Sequence, residues 1–332
     1  MRGYLLICLL SFTIMIQAQD LKLCKWYNHK AAALVMTFDD WLQGHPQIVI
    51  PILDELELRG TFFVTTHNLQ GRNDFERMRK AVLNGHEIGN HTVSHPDLTA
   101  LPFKAAKTEI LDAQKLLTDS LPHNELLSFA YPMGTKTSEI MELLAEEKYI
   151  GARGVSPLNE SAIIYPEAVD SRFFNVPTVR VWNIMTISKV NQWLSYAVKG
   201  GGMLNFMIHS VFDENIPKGW DAIPESYFQQ FAQVVAARRS EFWITTFGQA
   251  MKYQKQYLSS SIHVVEKTAE KMSFVLTYSL EDPFKFHPMT IEYADINVKT
   301  IQMGDRILEE KWVGDKVYFE VPEANQLITL WF

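Results

Sequence analysis

Short β-rich runs alternate with helical stretches from Ala33 to Tyr257, and this alternation constrains the fold more than any other feature of the chain. It predicts eight strands, at residues 34–37, 61–65, 87–89, 127–130, 150–153, 178–181, 203–208 and 243–246. It predicts seven helices, at residues 47–58, 75–84, 104–117, 138–147, 188–198, 225–239 and 247–257. Such units build a parallel sheet that closes, or nearly closes, into a (β/α) barrel, with an open doubly wound sheet as the alternative.

Polar residues that follow the predicted strands decide between these two architectures. Asp39 and Asp40 follow the first strand, His91 the third, Tyr131 the fourth and His209 the seventh. In a barrel the carboxyl ends of the strands meet at one mouth, whereas in an open sheet these side chains would be spread along an edge. We therefore predict an α/β fold of the deformed (β/α) barrel type, with seven or eight strands.

The composition changes after Ser259-Ser260-Ser261, where the chain becomes rich in strand patterns and poor in helical ones. The predicted strands there are residues 262–267, 272–278, 290–293, 307–312, 316–321 and 327–332. They indicate a small C-terminal β-sandwich. We expect three regions: a signal peptide at 1–18, a barrel domain at 19–258 and a β-rich accessory domain at 259–332.

The first eighteen residues predict an export signal, with a buried N-terminal helix as the alternative. Arg2 supplies positive charge, residues 5–16 form an apolar stretch too short to span a bilayer, and Ala18 ends a small-residue cleavage site. Cys24 is then the only thiol, so an intrachain disulfide is excluded. These features predict a periplasmic or secreted bacterial protein with no membrane span after cleavage. The formal net charge of −7 argues against a nucleic-acid partner.

Two imidazoles and two carboxylates near the predicted mouth could serve one divalent metal ion. His91 and His95 are four residues apart, so on a helical turn ended by Pro96 they would share a face. One division assigns Asp40 to the metal, leaving open positions for water and substrate, and Asp39 to the proton of that water. Each pair alone has a plainer explanation, because an Asp-Asp pair is usually solvated and this His spacing also arises by chance.

His209 ends the apolar run at 203–208. A histidine in this position is more often a hydrogen-bonded core residue. If it faces the mouth, it could protonate a leaving group, because imidazole is the side chain that ordinarily exchanges protons near neutral pH.

Five segments, taken together and in this order, resemble the motifs of the polysaccharide deacetylases, the NodB-homology family (carbohydrate esterase family 4). They are MTFDD at 36–40, RGTFFV at 59–64, GHEIGNHTVSH at 85–95, FAYPMG at 129–134 and MLNFMIH at 203–209. The resemblance covers roughly residues 30–255. It implies a deformed (β/α) barrel that removes acetyl groups from N- or O-acetylated oligo- or polysaccharides.

The resemblance also implies roles for particular residues. Asp39 corresponds to the general base and His209 to the general acid. The metal ligands are Asp40, His91 and His95, usually for zinc, although cobalt, nickel or another divalent ion is open. The backbone N–H of Met133 in the fourth segment would polarise the acetyl carbonyl. Tyr131, two residues earlier, and Trp41 are the other residues expected to contact the substrate.

The chain departs from the family pattern at two informative positions. Trp41 stands where glycine is common, which should narrow or reshape the mouth. Ala130 replaces the arginine that normally orients the catalytic aspartate, and Arg180 is the candidate substitute.

These observations predict a metal-dependent carbohydrate deacetylase. A catalytically impaired carbohydrate-binding or scaffolding protein on the same fold is one alternative, and a non-haem iron site is another. The glycan, the choice between N- and O-acetyl groups, the native metal, the role of residues 259–332 and the oligomeric state stay open.

Overall fold

In the computed structural model, residues 20–122, 128–155, 162–165, 173–182, 185–280, 284–286 and 288–332 are described. The predicted signal peptide at 1–18 lies outside these ranges, as does the first residue of the strand predicted at 127–130. Among the helices of the described ranges, none has both the length and the apolar character needed to cross a bilayer.

Strands and helices follow one another in chain order, with a π-helical turn at His45–Val49 before the first helix. The strands are β1 (Leu21–Leu23), β2 (Ala32–Asp39), β3 (Thr61–Val64), β4 (Glu87–Asn90), β5 (Ser128–Ala130), β6 (Gly151–Arg153), β7 (Ile163–Ile164), β8 (Val179–Arg180), β9 (Met203–Ile208), β10 (Val211–Phe212), β11 (Ile223–Pro224), β12 (Phe242–Thr245), β13 (Ser260–Lys267), β14 (Lys271–Tyr278), β15 (Met289–Tyr293), β16 (Thr300–Met303), β17 (Arg306–Ile307), β18 (Glu310–Val313), β19 (Lys316–Val321) and β20 (Leu327–Trp331). The helices are α1 (Ile50–Glu55), α2 (Arg72–Leu83), α3 (Phe103–Ser120), α4 (Ser138–Glu146), α5 (Ile187–Gly200), α6 (Glu225–Ala237) and α7 (Phe247–Ser259).

The first sheet forms the predicted barrel. Strands β6, β5, β4, β3, β2 and β9 pair side by side, all in parallel. Residues 173–181 fill the seam between β6 and β9. Val176 exchanges backbone hydrogen bonds with Ala152 and Gly154 on one side, and β8 pairs in parallel with β9 on the other. Strand β12 pairs with the first half of β2, and the short β7 runs antiparallel to β9, so the barrel is deformed.

Strand β2 shows how the sequence builds the barrel and positions its mouth. All eight of its residues are buried, because one face meets the surrounding helices and the other faces the barrel interior. Leu34 and Phe38 pack with the helices outside. Ala33 and Val35 point the other way and belong to a second cluster with α7. Alternation along the strand then gives Asp39 the inward position at the carboxyl end.

Two antiparallel sheets follow the barrel and form the predicted β-sandwich. Their strand orders are β1-β15-β19-β18 and β13-β14-β20-β16-β17. Phe274 and Phe319 meet between the sheets, with ring centroids 6.3 Å apart. Both sheets contribute to the hydrophobic cluster that also contains α7.

The sandwich differs from the sequence prediction in three places. Strand β16 was not predicted, and the single strand predicted at 307–312 is interrupted between β17 and β18. Strand β1 pairs with β15, so the first described strand belongs to a sheet made otherwise of C-terminal residues. The division of the chain at residue 258 stays a prediction.

Candidate active site

The side chains at the mouth surround a cavity of about 420 Å³ at the carboxyl ends of the barrel strands. Its wall is formed by residues in, or directly after, β2, β4, β5, β6, β8 and β9, together with the loop that carries Trp220. The lining residues are Asp39, Asp40, His91, His95, Tyr131, Met133, Arg153, Val155, Arg180, Met207, His209 and Trp220. Convergence of strand ends from around the sheet is what a barrel produces.

Asp40, His91 and His95 bring three ligand atoms together beside this cavity. Oδ1 of Asp40 lies 3.8 Å from Nε2 of His91 and 3.9 Å from Nε2 of His95. Two atoms bound at ~2.0–2.2 Å to one zinc ion are at most about 4.3 Å apart. Both spacings meet that limit, so this set of two nitrogens and one oxygen fits a divalent cation.

The imidazole of His91 gives a second, independent reason for that fit. Its Nδ1 donates a hydrogen bond to the carbonyl oxygen of Ala130 at 2.7 Å, which leaves the lone pair on Nε2. Nε2 is buried and has no hydrogen-bond partner among the described residues. Burial lowers the pKa of His91 to about 4, so the ring is neutral at pH 7. A neutral imidazole with a free nitrogen is the form that binds metal.

The segment from His91 to His95 is an irregular loop, so the predicted helical turn is wrong. Thr92 and His95 have positive φ angles of 69° and 60°. The side chain of Asn90 accepts a hydrogen bond from the N–H of Thr92 at 2.8 Å, and the Thr92 hydroxyl accepts one from the N–H of His95 at 3.0 Å. These side-chain bonds compete with helical ones. The two imidazoles still meet, with ring centroids 4.7 Å apart.

Asp40 reaches the cavity through a change in backbone direction. Adjacent residues of a strand point to opposite faces, so Asp39 and Asp40 could not both face inward on an extended chain. Asp40 has a φ of 77° directly after β2. The Thr65 hydroxyl donates to Oδ1 of Asp40 at 3.2 Å, and Nδ2 of Asn68 donates to its backbone carbonyl at 3.1 Å. The loop after β3 therefore orients this carboxylate.

Arg153, the last residue of β6, holds Asp39. Its Nη2 lies 2.5 Å from Oδ2 of Asp39, and both side chains are buried. Burial acts to raise the pKa of Asp39, but the guanidinium of Arg153, helped by His91 and His209, outweighs it and holds the pKa below its usual range. Oδ1 of Asp39 is buried and makes no hydrogen bond with the described residues. Asp39 is thus an ionised carboxylate with one oxygen free.

Arg180 does not take the position beside Asp39 that the sequence suggested. Its Nε lies 3.1 Å from Oδ2 of Asp221, and its guanidinium stacks 4.2 Å from the ring of Trp182. Both arginines line the cavity. Arg180 pairs with Asp221. Arg153 is fully buried and pairs with Asp39 across the barrel interior. The prediction that Arg180 replaces the missing arginine is wrong in its geometry.

His209 faces the cavity from the end of β9, between two carboxylates. Its Nε2 lies 3.7 Å from Oδ2 of Asp39, and its Nδ1 lies 3.4 Å from Oδ2 of Asp221. The buried His45 donates from Nε2 to the backbone carbonyl of His209 at 2.5 Å. The ring of Trp220 meets the imidazole edge to face at 4.5 Å. The backbone of His209 is therefore held by His45, and its imidazole faces the cavity.

Residues 27–151 match the model of the polysaccharide deacetylase family. The matched stretch contains the three candidate metal ligands and the free carboxylate of Asp39. Over this stretch the chain is similar to the polysaccharide deacetylase family.

Relatives of this chain match over different lengths. The chain is 25% identical to a gellan lyase of Bacillus sp, over 90% of this chain but 13% of that protein. It is 28% identical to a chitooligosaccharide deacetylase of Sinorhizobium fredii, over 33% of this chain and 51% of that protein. The chain therefore spans between an eighth and a half of the length of these relatives.

A solved structure from Mycobacterium smegmatis, of a protein assigned to the polysaccharide deacetylases, has the same fold. It superposes with a TM-score of 0.50 at 18% identity, over 69% of this chain and 91% of that chain. At this identity the likeness concerns the fold alone.

The three other residues predicted to contact substrate take different positions. Tyr131 lines the cavity but is buried, and its hydroxyl donates to the carbonyl of Phe174 at 2.9 Å. Met133 lies in a tight turn at the rim, with φ of 56° and 64% of its surface exposed. Trp41 is buried and lines a separate polar pocket, so its predicted position at the mouth is wrong.

Two charged residues of the site were not predicted: Arg153, which lines the cavity, and Asp221, which contacts Arg180 and His209 beside it. Arg153 ends a predicted strand, so the rule that selected Asp39 and His91, a polar residue at a carboxyl end, would have found it. Asp221 lies in a loop with φ of 53°, and no sequence periodicity marks it. Only a search for an acidic partner of His209 could have suggested it.

Proposed function

We propose that this protein is a metal-dependent hydrolase that removes acetyl groups from N- or O-acetylated carbohydrate. The observation that carries the proposal is the common cavity of the Asp40, His91 and His95 cluster with the Asp39–Arg153 pair and His209. Similarity to a chitooligosaccharide deacetylase and the match of residues 27–151 to the model of the polysaccharide deacetylase family support it. We propose the substrate to be an acetylated oligo- or polysaccharide.

We propose Asp40, His91 and His95 as ligands of one divalent ion, zinc in preference to cobalt, nickel or others. Such an ion would supply Lewis acidity to a water molecule and to the acetyl carbonyl. Two nitrogens and one carboxylate oxygen are a donor set that zinc accepts, and three protein ligands leave positions open for reactants.

Asp39 is the proposed general base. Its free oxygen, Oδ1, takes a proton from the attacking water, while Arg153 holds Oδ2 and keeps the carboxylate ionised until that transfer. The water oxygen forms a bond to the acetyl carbon. The backbone N–H of Met133, at the rim, donates to the carbonyl oxygen as negative charge develops there.

His209 is the proposed general acid. It donates a proton from Nε2 to the departing nitrogen or oxygen of the sugar as its bond to the acetyl carbon breaks. Asp221, 3.4 Å from Nδ1, stabilises the protonated ring and sets its orientation. The products are acetate and a sugar with a free amine or hydroxyl.

The decisive test measures acetate release from acetylated xylan and chitin oligosaccharides by metal-depleted protein before and after zinc is restored. We expect release only with metal, and loss of release in Asp39→Asn. His95→Ala should lose the zinc-dependent rise in melting temperature, whereas Asp39→Asn should keep it, because only His95 is a ligand. Zinc-loaded protein that releases no acetate from any of these substrates would indicate a carbohydrate-binding protein.

We also propose that the protein is exported to the periplasm or the medium, which the predicted signal at 1–18 supports. N-terminal sequencing of the protein recovered outside the cytoplasm should begin at Gln19. An intact Met1 on the exported protein would refute cleavage.

A further inference from the structure

A second pocket, of about 260 Å³, is lined in part by Trp41, the residue that follows the candidate metal ligand Asp40. We name it the amide pocket after its lining, which includes Trp41, Gln43, Gln47, Asn68, Gln70 and Asn73. Trp41 directly follows Asp40 in the chain, and Asn68 donates its Nδ2 hydrogen bond to the backbone carbonyl of Asp40 at 3.1 Å. The amide pocket is thus a near neighbour of the catalytic cavity.

Two features of Trp41, its backbone conformation and its unpartnered indole N–H, are typical of a ligand-binding site. Its φ of 54° lies in the left-handed region, where a bulky residue is strained by about 1–3 kcal/mol. Its indole Nε1 is buried, with 4% of the residue exposed, and has no hydrogen-bond partner among the described residues. Both features cost stability and are concentrated at functional sites. A ligand acceptor that reaches Nε1 would satisfy the indole N–H.

The remaining lining has the chemistry of a site for a neutral, hydroxyl-rich molecule. Each carboxamide can both donate and accept hydrogen bonds, as a sugar hydroxyl does. Among the described residues, only Asn68 of the five amides has its side chain engaged in a hydrogen bond. The two charged residues of the wall, Asp74 and Arg77, lie 3.7 Å apart and neutralise each other. The lining therefore carries no net charge for an ionic ligand.

The size of the pocket limits the ligand to about one sugar ring. Its 260 Å³ equals about nine times the ~30 Å³ that a water molecule occupies in the liquid. Two of its lining residues are linked to Asp40, Trp41 as the next residue in the chain and Asn68 through a hydrogen bond, so we expect a ring bound there to be close to a second ring in the catalytic cavity.

We propose that the amide pocket is a subsite for a neutral sugar residue of the glycan whose acetylated residue occupies the catalytic cavity. This inference rests on the proposed function. A hydroxyl of the bound residue accepts a hydrogen bond from the indole of Trp41, and its other hydroxyls bond to the carboxamides. The enzyme then favours oligosaccharides over acetylated monosaccharides.

The test compares kcat/KM for acetate release by zinc-loaded protein from chitin oligosaccharides of increasing length, beginning with the single sugar. A parallel series uses acetylated xylo-oligosaccharides. We expect kcat/KM to rise by about tenfold or more once a second or third ring is present. In Gln47→Ala/Asn73→Ala the ratio of long to short substrate should fall by about 3–10-fold, as expected for one or two lost hydrogen bonds.

The substitutions in the pocket should change substrate binding without unfolding the protein. Gln47 and Asn73 are exposed, so replacing them leaves the core intact. Trp41→Phe keeps an aromatic ring but removes the N–H, and it should lower the same ratio. The matched control is Gln230→Ala, an exposed amide on α6 outside the pocket, for which the ratio should not change.

The outcomes separate this inference from the proposed function. Acetate release from no substrate of either series overturns the proposed function, and the subsite falls with it. Acetate release whose kcat/KM does not depend on oligosaccharide length overturns the subsite alone. So does a length dependence that is unchanged in Gln47→Ala/Asn73→Ala. Calorimetric binding of chitotetraose to zinc-loaded Asp39→Asn gives a second measurement, and the double substitution should weaken it about 3–10-fold.

Discussion

Arg153 carries a buried positive charge that is balanced by the carboxylate of Asp39. It is fully buried, and Asp39 is the acidic side chain that it contacts among the described residues. Removing one partner of a buried ion pair leaves the other uncompensated and costs about 3–5 kcal/mol. The same contact keeps Asp39 ionised, so stability and the proposed chemistry depend on one pair of side chains.

Arg153→Met should lower kcat for acetate release by roughly 10²–10⁴-fold, because Asp39 loses the partner that orients it and keeps it a base. Arg180→Met is the matched control, since it removes a guanidinium from the same cavity without touching Asp39. Its loss should be much smaller. Urea denaturation of both variants checks that each is folded during the assay. A larger loss in Arg180→Met would restore the assignment made from the sequence.

Glu320, on β19, is a partly buried carboxyl outside the cavity. Its Oε1 accepts a hydrogen bond from the Thr290 hydroxyl at 2.8 Å, whereas Oε2 is buried with no partner in the described chain. Burial raises the pKa of Glu320 from 4.5 to about 7. Between these two pH values the native state binds more protons than the unfolded state, so stability falls as pH rises through this window.

Glu320→Gln should remove this pH dependence, because glutamine keeps an acceptor for Thr290 and carries no charge. The free energy of unfolding of the variant should match wild type near pH 4 and exceed it by about 3 kcal/mol at pH 8. Urea denaturation at several pH values measures the difference. Glu309→Gln, an exposed position, should show no such trend. Equal pH profiles for wild type and Glu320→Gln would refute the raised pKa.

At the scale of elements, the carboxylate of Glu87 connects the amino-terminal ends of the barrel strands to helix α7 through hydrogen bonds. Its carboxylate accepts hydrogen bonds from the hydroxyls of Thr61 at 2.9 Å and Ser128 at 2.6 Å, and from the N–H of Gly248 at 2.7 Å. Gly248 lies in the first turn of α7, where negative charge is favourable to the helix dipole. The ends of β3 and β5 and the start of α7 therefore meet at one side chain.

Glu87→Ala should lower the free energy of unfolding by about 2–4 kcal/mol, because three donors lose their acceptor and α7 loses its compensating charge. Glu87→Gln should cost less, since its amide oxygen still accepts. Chemical denaturation gives both values. The control Glu139→Ala removes an exposed carboxylate from the first turn of α4 and should cost below about 1 kcal/mol. Similar losses for Glu87→Ala and Glu139→Ala would contradict this role.

The barrel strands could be predicted because each is a short apolar run bounded by turn residues, as in β2 and β9. The seam at residues 173–181 could be predicted only in part, because Val176 joins β6 through backbone hydrogen bonds that many residue types could make. The conformation of the loop after β4 depends on the side chains of Asn90 and Thr92, whose local bonds override helical spacing.

The candidate site was predictable where an uncommon residue type follows an apolar strand, as Asp39, His91 and His209 do. Trp41 was misassigned because the direction of its side chain depends on a positive φ that sequence periodicity does not reveal. The pairing of β1 with β15 was out of reach, since nothing local in a three-residue strand specifies so distant a partner.

At the scale of the whole molecule, the barrel and the C-terminal sheets share one hydrophobic cluster. Ala33 and Val35 of the barrel interior, Met251 of α7, and Met272 and Phe274 of the sandwich all belong to it. Helix α7 therefore packs on both parts, and each covers apolar surface that the other would expose to water.

We expect the described chain to unfold in one cooperative transition. Calorimetry should give a single peak whose calorimetric and van't Hoff enthalpies agree. A chain ended at residue 258 should melt at lower temperature or aggregate, because α7 and β1 lose their partners. Two separate peaks, or a truncated chain as stable as the full one, would indicate independent units.

The pairing of β1 with β15 has a consequence for how the protein is made. Leu21 lies opposite Tyr293, so a ribosome must synthesise nearly the whole polypeptide before this sheet can be completed. Contacts between residues so far apart in the chain form slowly, because a large loop must close first. We therefore expect β1 to stay unpaired while the chain is being made, which would suit the export proposed above.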